Sequence, residues 1–337
     1  MKNLTIICLS IIITILIAEL TFRIIGMPIR TLVPNKFFVD NTSFTWSEPD
    51  KTLGWVNKAG QAISVEGDGA LMSFWTYGRR ATRLNEQKQD LTPSIAIFGG
   101  SNAQAYGVRD EDSFAYILGH QFFNTRIENF GTGGYGTVQT FLMAKRALEY
   151  FYLGNVPELI IVTFSDSHIL RNVSDYAWVT NISDSVGHYI SPPHYQIVKK
   201  EKQFIPFKTI TPWFFETSSS IVTALHNVLM KSFIYNKSND GLDITRAIFK
   251  DFYDLSKTYK SDFLVVVLED YQEVSQDVFS GFEFPVLDCS GPERLEPTKY
   301  LIGGGGHPNS RMHRHYADCI KRWLAEYRKQ DDVRGTN

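Results

Sequence analysis

Cysteine is scarce in this chain: Cys8, Cys289 and Cys319 are the three in 337 residues. No Cys-x-x-Cys pair and no Cys/His ligand spacing occurs, which argues against a structural zinc site and a dense disulfide framework. An excess of charge of either sign is also missing. Lys and Arg number 34 against 36 Asp and Glu, for a formal net charge of -2. Without a basic run to meet a phosphate backbone, nucleic acid is not an expected partner. No internal repeat and no low-complexity tract is present, and the composition is neither disordered nor collagen-like.

What is present is apolar and aromatic. Hydrophobic residues make up 43% and aromatics 14%, enough for a packed core and an aromatic cleft in one large or two small domains. Cys8 lies in an apolar leader. Cys289 and Cys319 would pair only in an oxidising compartment, and two free thiols is the preferred expectation.

The leader, Leu4 to Ala18, reads LTIICLSIIITILIA. At about 1.5 Å per residue it is shorter than a bilayer core of roughly 30 Å, and continuing to Gly26 makes it long enough. Glu19 and Arg23 stand at i,i+4 and are expected to pair, with Arg23 snorkelling to the interface. A cleaved signal peptide and an uncleaved signal anchor compete. No Ala-x-Ala site precedes Glu19, so the anchor is favoured. A buried core helix is the weakest reading, because the run has no polar face. Lys2 on one side and Arg23, Arg30 and Lys36 on the other leave orientation open.

From Met27 to about Pro93, short pieces (FFVD, SFTW, AISV, MSFWTY) alternate with Gly, Pro, Asn and Asp. They read as a strand-and-loop lead-in, not an independent domain. The pattern then changes. SIAIFGG (94–100), LIIVTFS (159–165), DFLVVVLED (262–270) and EFPVLD (283–288) are apolar on both faces, as buried parallel strands are. Helical patterns lie between and after them at 112–123, 138–152, 242–259 and 312–329. In the last, Tyr316, Ile320, Trp323, Leu324 and Tyr327 form one apolar face. Strand and helix alternate, so the fold class is α/β with a parallel sheet. Residues 173–240, rich in Tyr, Ser, Pro and Trp, break the rhythm and read as an insertion over one end of the sheet.

Ligands of open parallel sheets bind beyond the carboxyl ends of the strands. After the first run comes Gly99-Gly100-Ser101-Asn102, a turn suited to an exposed hydroxyl. It is neither a Walker loop nor a dinucleotide fingerprint. Next comes Asn129-Phe130-Gly131-Thr132-Gly133-Gly134-Tyr135-Gly136, whose bare N–H groups suit an oxyanion. Near the end stands Gly303-Gly304-Gly305-Gly306-His307-Pro308-Asn309, which sets an imidazole at a helix start. Each segment alone reads as an ordinary glycine turn. His313 and His315, at i,i+2, point to different helix faces and are discounted as metal ligands.

GGSNAQAYGV, then NFGTGGYGT, then GHPN before a terminal helix together resemble the SGNH (GDSL-type) hydrolase family, and its bacterial members with an N-terminal membrane anchor most closely. The leader ending AELTFRIIG shares that likeness. The resemblance covers about Ile95 to Trp323 plus the leader. It implies a three-layer α/β/α sandwich with a flavodoxin-like parallel sheet after a transmembrane helix. The divisions are 1–26 (anchor), 27–93 (lead-in) and 94–330 (hydrolase-like domain with the insertion at about 173–240). By the same resemblance Ser101 is the nucleophile, His307 the general base, and Ser101, Gly134 and Ser167 the oxyanion hole. Neither cofactor nor metal is implied.

The chain departs from the family in three places. Gly100 replaces the usual Asp. Ser167 stands where an oxyanion Asn belongs, with Asn172 or His168 as compensating candidates. Gly304 and Gly305 occupy the positions of the Asp that orients the His. That leaves a Ser-His dyad, or a remote acid, with Asp288 preferred over Glu296. The implied function is a membrane-anchored esterase or deacylase outside the cytoplasm, acting on an acylated small molecule or surface polysaccharide. The alternatives are an O-acyltransferase of envelope glycans and an inactive carbohydrate-binding or assembly protein.

Overall fold

A computed structural model describes residues 2–27, 29, 46–64, 66–67, 69–86, 94–186, 190–210, 213–235, 240–269 and 273–334. At its centre five parallel strands form one sheet: β1 (Ser94–Phe98), β2 (Arg126–Asn129), β3 (Leu159–Ser165), β4 (Asp262–Glu269) and β5 (Val286–Asp288). Their order is β5-β4-β3-β1-β2, numbering the strands of this sheet alone. The chain changes direction across the sheet between β1 and β3, and a crevice opens at such a switch point.

Alternation within each strand builds two cores. Ala96, Phe98, Ile160, Val162, Val265 and Val267 face one side. There they meet α4 (Thr137–Arg146) and α8 (Gly241–Tyr259), which brings Phe249 and Phe252. Ile95, Ile97, Leu159, Ile161, Leu264 and Val266 face the other. There they meet α3 (Phe114–Gln121) and α10 (Ser310–Arg334), which brings Met312, Tyr316 and Ile320. This is the expected three-layer α/β/α sandwich. Residue labels α1 (Lys2–Ile24), α2 (Ser101–Gln104), α5 (Ser167–Asn172), α6 (Tyr176–Val186), α7 (Ser220–Tyr235) and α9 (Glu273–Phe279) complete the helices used below.

Three strands and four helices fall on the patterns that announced them, and β5 is shorter than its apolar run. Strand β2 had no such pattern. Its sequence is RIEN, and Arg126 and Glu128 are both buried. Arg79 makes this possible: its Nη1 donates to Glu128 Oε2 at 2.6 Å, and its guanidinium lies 4.4 Å over the Phe151 ring. A buried carboxylate needs such a partner.

The lead-in contributes two hairpins, Ser47–Asp50 with Gly54–Asn57 and Gly60–Ile63 with Leu71–Phe74. The FFVD piece and all but Trp46 of SFTW lie outside the described residues. The lead-in is fastened to the sheet: Arg80 N donates to Asn129 O at 2.8 Å, and the Arg80 side chain pairs with Asp110. Helix α1 carries one apolar window long enough to cross a membrane, and none of that window is buried. That disfavours the core-helix reading. Glu19 and Arg23 pair at 2.8 Å, as their spacing predicts.

The expectation of two free thiols is corrected. Cys289 and Cys319 are joined in a disulfide, with Cα atoms 5.8 Å apart. The bond ties the residue after β5 to α10 because both lie in the same buried cluster. A loop of this size, 30 residues apart in sequence, restricts the unfolded chain by about 3–4 kcal/mol on the loop-entropy relation. Replacing both cysteines by serine should lower stability by up to that amount in denaturant titration, and reduction of the native chain should do the same.

His313 is buried on α10, parallel to the Phe114 ring at 5.9 Å and edge-on to Tyr316 at 5.6 Å. Neither ring nitrogen has a hydrogen-bond partner among the described residues. Burial, followed by the nearby Arg80 charge, lowers its pKa from 6.5 to about 3. The unfolded chain therefore takes up a proton below pH 6.5 that the folded chain refuses until about 3. Stability from this group is complete above pH 6.5 and declines as pH falls toward 3. His313→Phe should flatten the pH dependence of the unfolding midpoint in that window.

Candidate active site

Strand β1 delivers the chain to Gly99-Gly100 and then to Ser101, the first residue of α2. The tight turn has a steric reason. A Cβ on Gly99 would lie 1.9 Å from Thr163 Oγ1 of β3. A Cβ on Gly100 would lie 2.9 Å from His168 Nε2 and 3.1 Å from Tyr135 O. The space that an aspartate side chain would need is therefore already occupied. Ser101 is half-buried, and its hydroxyl makes no hydrogen bond among the described residues. It lines a small open cleft together with Gly100, Asn102, Ser167, His168, Arg171 and Glu269. Asn102 Nδ2 donates to Glu269 Oε2 at 3.2 Å across its rim.

The second glycine segment follows β2 and opens α4. Gly134 has φ +81°, which glycine adopts without strain. A Cβ there would also come within 3.0 Å of Trp55. The lead-in holds this loop. Trp55 Nε1 donates to Gly133 O at 2.8 Å, Asn57 Nδ2 donates to Gly131 O at 2.8 Å, and Tyr135 Oη donates to Trp55 O.

The segment after β3 forms α5. Ser167 is exposed at its start and lines the cleft, with its Oγ 2.8 Å from Ser165 Oγ. Of the two compensating candidates, Asn172 is engaged elsewhere and His168 lines the cleft from below. Asn172 is buried, accepts from Val138 N at 3.0 Å and donates to Thr245 Oγ1 at 2.9 Å. His168 is buried beneath Gly100, and burial, reinforced by Arg171, pushes its pKa well below 6.5. Arg171 lines the cleft beside His168 and is its cationic group. Its Nη1 donates to Tyr135 O at 3.0 Å, and its guanidinium lies 4.5 Å from the Trp178 ring centre. Burial lowers its pKa to about 10, with Glu269 opposing, so it stays a cation at neutral pH.

His307 precedes α10. Its Nδ1 is 2.9 Å from Glu66 Oε2, and its backbone N donates to the same oxygen at 3.3 Å. The ring packs edge-on against Tyr106 at 5.0 Å. Asp288, the preferred orienting acid in the sequence, does not perform that role here. Its Oδ1 accepts from Ser290 N and Ser290 Oγ at 2.9 and 2.7 Å, which closes a local turn after β5. Glu296 pairs with Lys299 at 3.0 Å. Glu66 arrives from the turn of the second lead-in hairpin. The adjoining Gly67 sits so close to Gly107 that a Cβ would fall 1.8 Å from its carbonyl oxygen. No hydrogen bond joins Ser101 to His307, and His307 is not among the cleft-lining residues.

Two residues of the candidate site escaped the sequence reading. Nothing local marks Glu66, which lies 241 positions from its partner. Arg171 had a usable signal: it stands at i,i+4 from Ser167, on the same face of a helix that follows a core strand.

No family model and no curated protein matches the chain. Among solved structures it is similar to a putative lipolytic protein of the G-D-S-L family from Desulfitobacterium hafniense DCB-2. That pair has 10% identity and a TM-score of 0.39, covering 68% of this chain and 99% of that one. The psychrotrophic esterase EstA from Pseudoalteromonas sp. gives 11%, 0.38, 69% and 100% in the same order. An acetyl xylan esterase from Geobacillus stearothermophilus gives 13%, 0.37, 68% and 93%. The sheet's own strand order, with helices on both faces, makes this a flavodoxin-like α/β/α fold, and Ser101, Gly134 and Ser167 stand after β1, β2 and β3, with His307 before the last helix.

Proposed function

We propose that the protein is a membrane-anchored serine esterase that removes ester-linked acyl groups, with surface polysaccharide as the substrate class, on the extracytoplasmic side. The observation that carries the reading is the Glu66–His307 pair. A carboxylate on Nδ1 sets the imidazole so that Nε2 is the basic nitrogen, which is what a general base needs. The sequence had shown an imidazole with no acid beside it.

In this reading Ser101 Oγ attacks the acyl carbonyl carbon and its proton passes to His307 Nε2. The tetrahedral oxyanion takes hydrogen bonds from the N–H groups of Ser101 and Gly134. Arg171 supplies the donor that an asparagine gives elsewhere, since its guanidinium is held between Gly100 and Tyr135. Collapse breaks the bond to the leaving alcohol, which takes the proton from His307. Water, activated by the same base, then hydrolyses the acyl-serine; a sugar hydroxyl in its place makes the reaction a transfer. His307 must close on Ser101 for the first step, and catalytic hydrogen bonds often tighten only with substrate bound. The Gly303–Gly306 run beside it supplies backbone freedom. The absence of a Ser101–His307 hydrogen bond favours the second reading, a non-catalytic glycan-binding protein. The exposed apolar α1 supports the anchor, and the Cys289–Cys319 disulfide supports an oxidising compartment.

A fluorophosphonate probe tests the reading. It should label Ser101 in the full chain in detergent, and Ser101→Ala should abolish both labelling and hydrolysis of p-nitrophenyl acetate. Glu66→Gln should reduce kcat by about 10²- to 10⁴-fold, the range for loss of an oriented base. Unlabelled Ser101 in a folded chain that still binds glycan would establish the second reading. Arg171→Met should reduce kcat by about 10²- to 10³-fold with little change in KM, the signature of a lost oxyanion donor. An unchanged kcat would remove Arg171 from the oxyanion hole.

A further inference from the structure

The insertion carries a feature the proposed chemistry does not use. Residues 209–230 contain no Lys, Arg or Asp, and Glu216 is their one carboxylate. Glu216 is buried and bonded to the buried His226. This pair clamps a turn. Trp213 N donates to Glu216 Oε2 at 2.9 Å, Glu216 N donates to Trp213 O at 3.0 Å, and Thr223 Oγ1 donates to Glu216 O at 2.8 Å. The Trp213 ring stacks on His226 at 4.7 Å. The clamp leaves Phe214 83% and Phe215 61% exposed, and Trp213 42% exposed. Helix α7 continues the surface, with Leu225 and Val228 exposed on the stripe that starts at Ile221, while Thr223 and His226 face inward.

This apolar surface is joined to α1. Glu19 accepts from Ser219 Oγ at 2.8 Å, Ser220 N at 2.9 Å and Ile221 N at 3.1 Å. Arg23 Nη2 donates to Ser218 O at 2.7 Å. The two charged residues that end the apolar run of α1 are thus spent on the first turn of α7 and the residues just before it. An exposed Phe pair, a Trp and a helix face without charge lie next to the point where α1 would leave the hydrocarbon. We propose that the Trp213–Phe215 turn and the outer face of α7 insert into the interfacial layer of the bilayer that holds α1, giving the domain a second, monotopic contact. The inference rests on the anchor reading of α1.

The chemistry favours lipid over the other occupants. Sugar stacking uses an open aromatic face flanked by hydrogen-bonding groups; here one Trp213 face is covered by His226, and Phe214 packs edge-on against Phe215 at 4.3 Å. Trp and amphipathic apolar faces concentrate at the membrane interface. Two contacts in place of one would hold the domain at a fixed height and tilt on the membrane.

Depth measurements on the full chain in phosphatidylcholine vesicles test this. In a Cys8→Ser background, Phe214→Cys carries an environment-sensitive fluorophore, and Leu295→Cys, at an exposed site elsewhere, carries the same label as control. The disulfide-bonded cysteines do not react. A third sample labels native Cys8 on α1. The label at 214 should emit to the blue of the control and be quenched several-fold more strongly by lipids spin-labelled near the headgroup. Quenching at Cys8 but not at 214 overturns this inference and leaves the anchor standing. Quenching at neither position, with protein washed off the vesicles by alkali, overturns the anchor as well. A blue shift at 214 that disappears when protein is diluted among vesicles, or that needs added glycan, assigns the surface to a second copy or a sugar and overturns the proposal.

Discussion

The contact between Glu66 and His307 is the constraint on which the site depends. Glu66 Oε2 meets both the ring Nδ1 and the backbone N of His307, so one carboxylate holds both the imidazole and its loop. The contact is bought with space. Gly67 fits against the Gly107 carbonyl, and a Cβ on Gly306 would lie 3.0 Å from Glu66 Oε2. Three glycine-bearing segments from distant parts of the chain therefore meet around a single carboxylate.

The lead-in is consequently part of the candidate site as well as part of the fold. It carries Glu66, and through Trp55 and Asn57 it also grips the loop that presents Gly134. The same region neutralises the sheet's buried charges. Arg79 accompanies Glu128 on edge strand β2, and Arg80 reaches Asp110 beside the turn that follows α2. Burying these groups singly would be costly, and burying them as pairs ties the lead-in to the sheet in one register.

The candidate oxyanion hole shows substitution by position. Asn172 is drawn into packing, bridging α4 and α8, while His168 fills the space beside Gly100 at the floor of the cleft. Arg171, between them in sequence, turns to the cleft because helical spacing places it with Ser167. Its neighbour Trp178 belongs to the insertion, so the insertion bears on the candidate site as well as on the exposed apolar surface beside α1.

Local pattern was enough to establish the α/β class, three of the five sheet strands nearly to the residue, the helices between them, the apolar leader and its Glu19–Arg23 pair. Each of these rests on a periodicity or spacing within about 25 residues, which is the range over which side-chain pattern reports burial. Ser101, Gly134 and His307 were legible as candidates because three glycine segments, each an ordinary turn by itself, together resemble the blocks of the SGNH family in order and spacing. Strand β2 was not, since Arg126 and Glu128 look solvent-exposed until Arg79 is placed beside them. Nor was the Cys289–Cys319 bond, the local role of Asp288, or the part played by Glu66. Those depend on which distant groups the sheet order brings within hydrogen-bond or covalent reach, and a carboxylate 241 residues from its imidazole leaves no periodic trace in the chain.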